Sequence, residues 1–152
     1  MEIDEGSKKE WGQLKQSVQG RLDKLQGKID KLNAKAEAKG WSAEKLANRM
    51  GNLSGRVSSL DGSLKTMGTL EGSKQVYSLS HAAPGENGGV SLNTKTNTID
   101  IKFGSTTNFV HESTHAGQFE TGDIAFDSKS GMVLGQDIGD EVAGYKAQFG
   151  SV

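Results

Sequence analysis

No cysteine occurs in the 152 residues, so the fold is held without disulfides and is indifferent to the redox state of its compartment. A single proline stands against 21 glycines, which makes the chain loose for its size. The polar, glycine-rich stretches Gly62 to Ser73 and Pro84 to Gly89 are expected to be mobile loops. Hydrophobic residues make up only 33%, which limits the chain to one modest core, or one small domain with an appendage. No apolar run approaches the ~20 residues of a membrane span. The opening residues, Met1 to Glu10, are polar and lack the apolar stretch of a signal peptide. A formal net charge of −1 gives no electrostatic reason to expect nucleic acid or an anionic membrane as a partner. The charge is unevenly spread. Residues 1–70 carry 13 Lys/Arg against 9 Asp/Glu, for +4, and residues 71–152 carry 5 against 10, for −5. An acidic second half suits cation binding and cationic substrates.

Against this sparse background, two of the three histidines fall within five residues, His111-Glu112-Ser113-Thr114-His115. Positions i and i+4 of a helix share one face, so both imidazoles of this H-E-x-x-H can reach one metal ion. Glu112 then stands where it can take a proton from a water activated by that metal. The flanks agree with a helix. Ser105-Thr106-Thr107-Asn108 offers several N-caps, and Phe109 and Val110 begin an apolar helical pattern. Before them, Asn97 to Phe103 alternates polar and apolar residues like a half-buried strand and stops at Gly104.

A catalytic zinc site normally takes three protein ligands and a water. The extended motif H-E-x-x-H-x-x-G-x-x-H is excluded, because Gln118 and Thr121 stand where it demands glycine and histidine. The first choice for the third ligand is Glu141, with Asp140 and His81 as alternatives. Ile138, Val142, Tyr145 and Phe149 recur at helical spacing, so 138–149 reads as a second amphipathic helix. Ala143 and Gly144 would let it approach the first helix closely. Tyr145, one turn beyond Glu141, is a candidate oxyanion donor or simply a half-buried tyrosine. His81, beside the loop Ala82 to Gly89, is a candidate substrate or oxyanion contact. Asp123 and Asp127 are candidate partners for the second ring nitrogen of a metal-bound histidine, or ordinary loop acids.

The first seventy residues are helical in pattern. Trp11, Leu14, Val18, Leu22, Leu25, Ile29, Leu32 and Ala36 step by threes and fours. Gly40-Trp41-Ser42 breaks the run, with Ser42 as N-cap and Glu44 in the first turn of a second helix. Leu46, Met50, Leu53, Val57, Leu60, Leu64 and Met67 then form a second unbroken stripe. The two predict an antiparallel helical hairpin over 1–70, an appendage or a packing layer for the unit at 71–152. From 75 to 104 the period falls to two. Val76 to Ser80 is a candidate strand, and Gly89 to Leu92 with Thr98 to Phe103 a hairpin closed around Asn93 to Asn97. The predicted class is α+β: helical hairpin, small antiparallel sheet, H-E-x-x-H helix, ligand-bearing helix.

The stretch Asn108 to Glu120, followed by Asp140-Glu141-Val142-Ala143-Gly144-Tyr145, resembles the metallopeptidase toxin domains at the C-terminal tips of bacterial Rhs/YD-repeat and other polymorphic toxins. Those domains are minimal gluzincins, in which a Glu from a later helix completes the two-histidine site. The resemblance covers about the last third of the chain. It implies a zincin-like unit with Zn2+ held by His111, His115 and Glu141 and with Glu112 as general base and acid. It also implies a peptide or protein substrate, a cognate immunity protein, and secretion within a larger toxin that delivers the domain into a target cell. Without that carrier, a cytoplasmic location is expected. The competing expectation is a non-enzymatic, partner-binding helical protein whose zinc site is structural, with Glu112 dispensable.

Overall fold

The computed structural model describes residues 1–136 and 138–150, and only the backbone of Ile138. The chain begins with a short strand, β1 (Glu2–Ile3), in a segment whose polarity gave no sign of one. Asp4 then caps α1 (Glu5–Lys39), accepting a hydrogen bond from the Ser7 amide at 2.9 Å. At 35 residues α1 is about 52 Å long. Gly40, at φ 66°, ends it in the left-handed conformation that glycine adopts without strain. Ser42 caps α2 (Ala43–Met50) as expected, through the Lys45 amide at 3.1 Å.

The second apolar stripe does not form one helix. It is divided at Gly51, whose φ of 55° no right-handed helix can include, so α3 (Leu53–Glu71) starts afresh. α3 returns along α1, and Lys15 meets Glu71 at 2.6 Å, which sets the pair antiparallel. It also continues through Gly62 to Glu71, where a loop was expected. Ser63, Met67 and Leu70 are buried there, and the burial of Met67 and Leu70 outweighs the roughly 1 kcal/mol of helix propensity lost at each glycine.

Strands β2 (Val76–His81), β3 (Gly89–Asn93) and β4 (Thr98–Phe103) come next. β3 and β4 form the expected antiparallel hairpin, with Leu92 opposite Ile99 and Asn93 opposite Thr98. The sheet as a whole is mixed, however. Its order is β1-β2-β4-β3, and β1, β2 and β4 run parallel. Residues 82–88 carry the chain across the sheet, so that β4 enters between β2 and β3. This is a non-local choice that period-two patterning cannot express. One face bears Tyr77, Val90, Ile99, Ile101 and Phe103, all buried, and lies against α4 (Thr106–Glu120). A small ribbon, β5 (Ala125–Phe126) with β6 (Val133–Leu134), and α5 (Ile138–Gly150) are the last of the described elements. Among the described residues no helix is long and apolar enough to cross a membrane.

The core is continuous across the sequence division at residue 70. Trp11, Leu14 and Val18 of α1 and Leu60, Met67 and Leu70 of α3 belong to one buried cluster with Ile99, Ile101, Phe109 and Val110. Helices α4 and α5 rest on α3 at very short range. A Cβ on Gly150 would lie 2.5 Å from Ser59 Cβ, and one on Gly117 would lie 2.9 Å from Thr66 Cγ2. Tyr77 and Ser73 both donate to Glu120 Oε1, at 2.5 and 2.6 Å, which pins the end of α4 to the start of β2. Leu60→Ala is therefore expected to cost about 2–5 kcal/mol, and to lower the melting of the helical and sheet halves together in one circular dichroism transition. A separate early melt of residues 1–71 would contradict a shared core.

Candidate metal centre

The hairpin strand β4 runs through Gly104 into Ser105, whose hydroxyl accepts from the Asn108 amide at 3.0 Å and starts α4. The Asn108 side chain in turn accepts from the Gly104 amide at 2.9 Å. A side chain at Gly88 would collide with Asn108 and with the Lys102 carbonyl, so glycine there lets the crossing loop close onto the helix start. Phe109, Val110, Ser113 and Ala116 are fully enclosed. This helix is buried on nearly all sides, and His111, Glu112 and His115 are buried with it, at 6, 7 and 4% exposure. Sites of this kind are built from a rigid element, not a loop.

Helix α5 brings Glu141 to the two histidines. His115 Nε2 lies 2.8 Å from Glu141 Oε1, His111 Nε2 lies 3.8 Å from Glu141 Oε2, and the two Nε2 atoms are 3.2 Å apart. A tetrahedral ion bonded at about 2.0–2.1 Å requires roughly 3.3 Å between ligand atoms, and these separations bracket that value. Glycine at 144 makes the approach possible, because a Cβ there would lie 3.0 Å from His111 Nε2 and Cε1.

The hydrogen bonds fix what these atoms can do. His115 Nδ1 donates to Gln118 Oε1 at 2.7 Å, and His111 Nδ1 donates to Gln148 Oε1 at 3.1 Å. With both protons on Nδ1, two bare Nε2 lone pairs and a carboxylate converge on one point. Such a donor set is stabilised by a shared cation and by little else. Gln136 meets part of that demand. Its amide Nε2 donates to Glu141 Oε1 and lies 3.3 Å from His115 Nε2. The three side chains thus fit a metal ion.

A cleft of about 480 Å³ opens onto them, bordered by Gly89 and Val90 of β3, Val133 of β6, and Glu112 and Tyr145. Burial, the largest influence, pushes the Glu112 carboxyl above its ordinary value. His115 opposes that shift, Glu141 reinforces it and a hydrogen bond with the Asn108 side chain opposes it. For His111, burial and then the neighbouring His115 hold the ring below its ordinary value, against Glu141 and the Gln148 hydrogen bond.

Of the three candidates for the third ligand, only Glu141 reaches the histidines. Asp140 is outside the converging group, and its backbone carbonyl accepts from Gln118 Nε2 at 2.9 Å. His81 lies elsewhere, at the end of β2: its Nε2 is 2.7 Å from Glu10 Oε2, its ring stands on Phe103 of β4, and β4 separates β2 from the cleft-bordering β3. It lines no part of this cleft, so the structure supplies no contact for the substrate or oxyanion role expected of it. Tyr145 does line the cleft. Its ring packs edge-on against His111 at 4.6 Å between centroids, and the residue is 60% exposed. Asp123 accepts from Thr121 Oγ1, and Asp127 from the amides of Lys129 and Ser130, whose bonds hold its carboxyl below the usual range. Both are turn residues. The ring-nitrogen partners are Gln118 and Gln148 instead. Spacing offered a signal for each, Gln118 lying three residues past His115 and Gln148 seven past Glu141, but only the α4–α5 packing brings Gln148 to His111.

The lowered pKa of His111 has a consequence for the ion-free protein. Stability contributed by the neutral ring is fully present above pH 6.5, the ordinary value, and is lost as pH falls through the lowered one. Glu112 acts with the opposite sign, its raised value favouring the fold at low pH, so Glu112→Gln is the background to use. Melting temperatures of ion-free Glu112→Gln are expected to fall from about pH 7.5 to about pH 5, and to fall less steeply when His111→Gln is added. Parallel slopes would contradict the assignment. In comparisons with known proteins, the chain matches no family model, no curated protein and no solved structure.

Proposed function

We propose that this protein is a zinc-dependent hydrolase that cuts peptide bonds. The observation that carries the proposal is the buried Glu112 carboxylate beside three converging ligand atoms, with all four residues at the floor of an open cleft. Ligands of imidazole nitrogen and a single carboxylate suit zinc. His111, His115 and Glu141 would hold it. When bound, zinc supplies Lewis acidity, lowering the pKa of water towards neutrality and polarising a scissile carbonyl.

The remaining steps belong to the chain itself. Glu112 takes the proton of the attacking water and later hands it to the leaving amine, a role that the raised pKa of a buried carboxyl suits. Tyr145 lines the cleft, and its hydroxyl would donate to the developing oxyanion. Gln136 is itself exposed, two residues beyond β6, and its amide would withdraw from Glu141 as the site fills. Strand β3 supplies an edge for an extended peptide. Its Leu92 amide points away from β4, donating to the Gly131 carbonyl at 2.9 Å. By the period of two, Val90 turns its N–H and C=O the same way, beside the cleft.

Elemental analysis is expected to find one zinc per chain in wild type and in Glu112→Gln, and less in Glu141→Ala. Glu112→Gln is expected to lower cleavage of an unfolded protein substrate by about 10²–10⁴-fold. A variant that loses its zinc, or keeps full activity, would reject Glu112 as the proton carrier. A fully active wild type without zinc would reject the metal mechanism.

The setting implied by the resemblance, a toxin domain carried by a larger secreted protein and restrained by an immunity protein, is part of the same proposal. Expression of the chain in the bacterial cytoplasm is expected to arrest growth, and Glu112→Gln is expected not to. Equal growth with the two forms would count against a toxin acting by hydrolysis. If zinc is present and stoichiometric but neither cleavage nor growth responds to Glu112→Gln, the alternative stands: a partner-binding protein with a structural ion.

A further inference from the structure

We infer that Gln118 and Gln148 are positioning residues, a pair of amide struts that set the ring tautomers of both histidines and the spacing of α4 and α5 across the metal site. The inference rests on the metal-site part of the functional reading and not on the chemistry of the substrate. Gln118 is buried, and each end of its amide is engaged. Oε1 accepts from His115 Nδ1 at 2.7 Å while Nε2 donates to the Asp140 carbonyl at 2.9 Å. The amide cannot turn over, because its oxygen would then face the Asp140 carbonyl oxygen and its NH2 would face the ring N–H. One side chain of α4 therefore orients the second histidine and also fixes the residue immediately before Glu141. Gln148 makes the reciprocal connection, reaching from α5 to His111 Nδ1 on α4 at 3.1 Å.

The two struts cross between the helices in opposite directions, so neither helix can slide without breaking one of them. Both are neutral acceptors. A carboxylate at either position would make its imidazole a stronger ligand and add negative charge beside Glu141 and Glu112. The amides give the same tautomer while leaving two acids, not three or four, in a buried site whose Glu112 must still accept a proton.

Three variants test this in the full chain: Gln118→Leu, Gln148→Leu and Gln148→Glu. The readouts are Zn2+ affinity by competition with a chelating dye, and the protonation of each ring nitrogen by 15N NMR of the ion-free protein. In wild type both rings are expected as the Nδ1–H tautomer. Gln118→Leu should admit the Nε2–H form at His115, Gln148→Leu should do so at His111, and each should weaken Zn2+ binding by about 10–100-fold. Gln148→Glu, which keeps an acceptor oxygen, should retain the tautomer and bind at least as tightly as wild type. Leucine variants with unchanged tautomers and affinity within about twofold of wild type would overturn the inference, as would a wild type with Nε2–H rings. So would Gln148→Glu behaving like Gln148→Leu. Wild type that binds no Zn2+ would reject the metal site, yet the ring-nitrogen spectra would still decide whether the amides set the tautomers. If Gln118→Leu does not fold, the Gln148 pair carries the test.

Discussion

The structure depends on a polar face carried by a helix that is itself core. α4 contributes Phe109, Val110 and Ala116 to the apolar cluster and, from adjacent positions, His111, Glu112, His115 and Gln118 to a buried polar site. An unpaired buried imidazole or carboxylate costs several kcal/mol, so each must be met. Each ring is met on Nδ1 by an amide, and the two Nε2 atoms converge with Glu141 where an ion would meet all three. Meeting them requires α5 to lie very close, and that requirement propagates outwards. It places glycine at 144 against the His111 ring, and glycine at 150 and 117 against α3. The small residues of the second half are the shape of that contact.

The same requirement explains why a helical hairpin accompanies so small a site. A sheet covers one side of α4 and α5 another; the third is covered by α3, which α1 supports from behind. Residues 71–150 alone would leave Phe109, Val110 and Ala116 partly in water. At roughly 1.5–3 kcal/mol for each large apolar side chain so exposed, the face bearing His111 and His115 would lose the rigid helix that presents it. α1 and α3 thus act through packing to hold imidazoles they never touch.

What was legible in the sequence is local. H-E-x-x-H, the Ser42 and Ser105 caps, and the β3–β4 hairpin each depend on residues a few positions apart, and each is found. Glu141 depends on two helices meeting, yet its helix was readable from period and its chemistry from the need for a third ligand. Where distant segments choose each other, the reading failed. The parallel pairing of β2 with β4 is set by a crossing loop, and β1 by its docking on β2. Gly62 to Glu71 has the composition of a loop and folds as helix because Met67 and Leu70 find the core. The break at Gly51 goes the other way: an unfaulted apolar stripe conceals a glycine at positive φ. Acids at 123 and 127 were the chemically natural partners for the rings. They went to turns, because α4 ends at Glu120 and the chain leaves the site.

Glu112 separates the two kinds of metal protein this fold can be. An ion that only fastens α4 to α5 needs ligands and their supports, and His111, His115, Glu141, Gln118 and Gln148 meet that need without it. Glu112 adds a buried carboxyl whose pKa is pushed up by its burial, so ionising it opposes folding. Neither a cap nor a packing contact requires a carboxylate there, and glutamine would fill the same volume at less cost. A group whose charge opposes folding, placed beside residues that could hold a cation and facing an open cleft, is what the proposed proton transfer would require. The proposed hydrolase gives this carboxyl a task, whereas a purely structural ion leaves it only its hydrogen bond with Asn108.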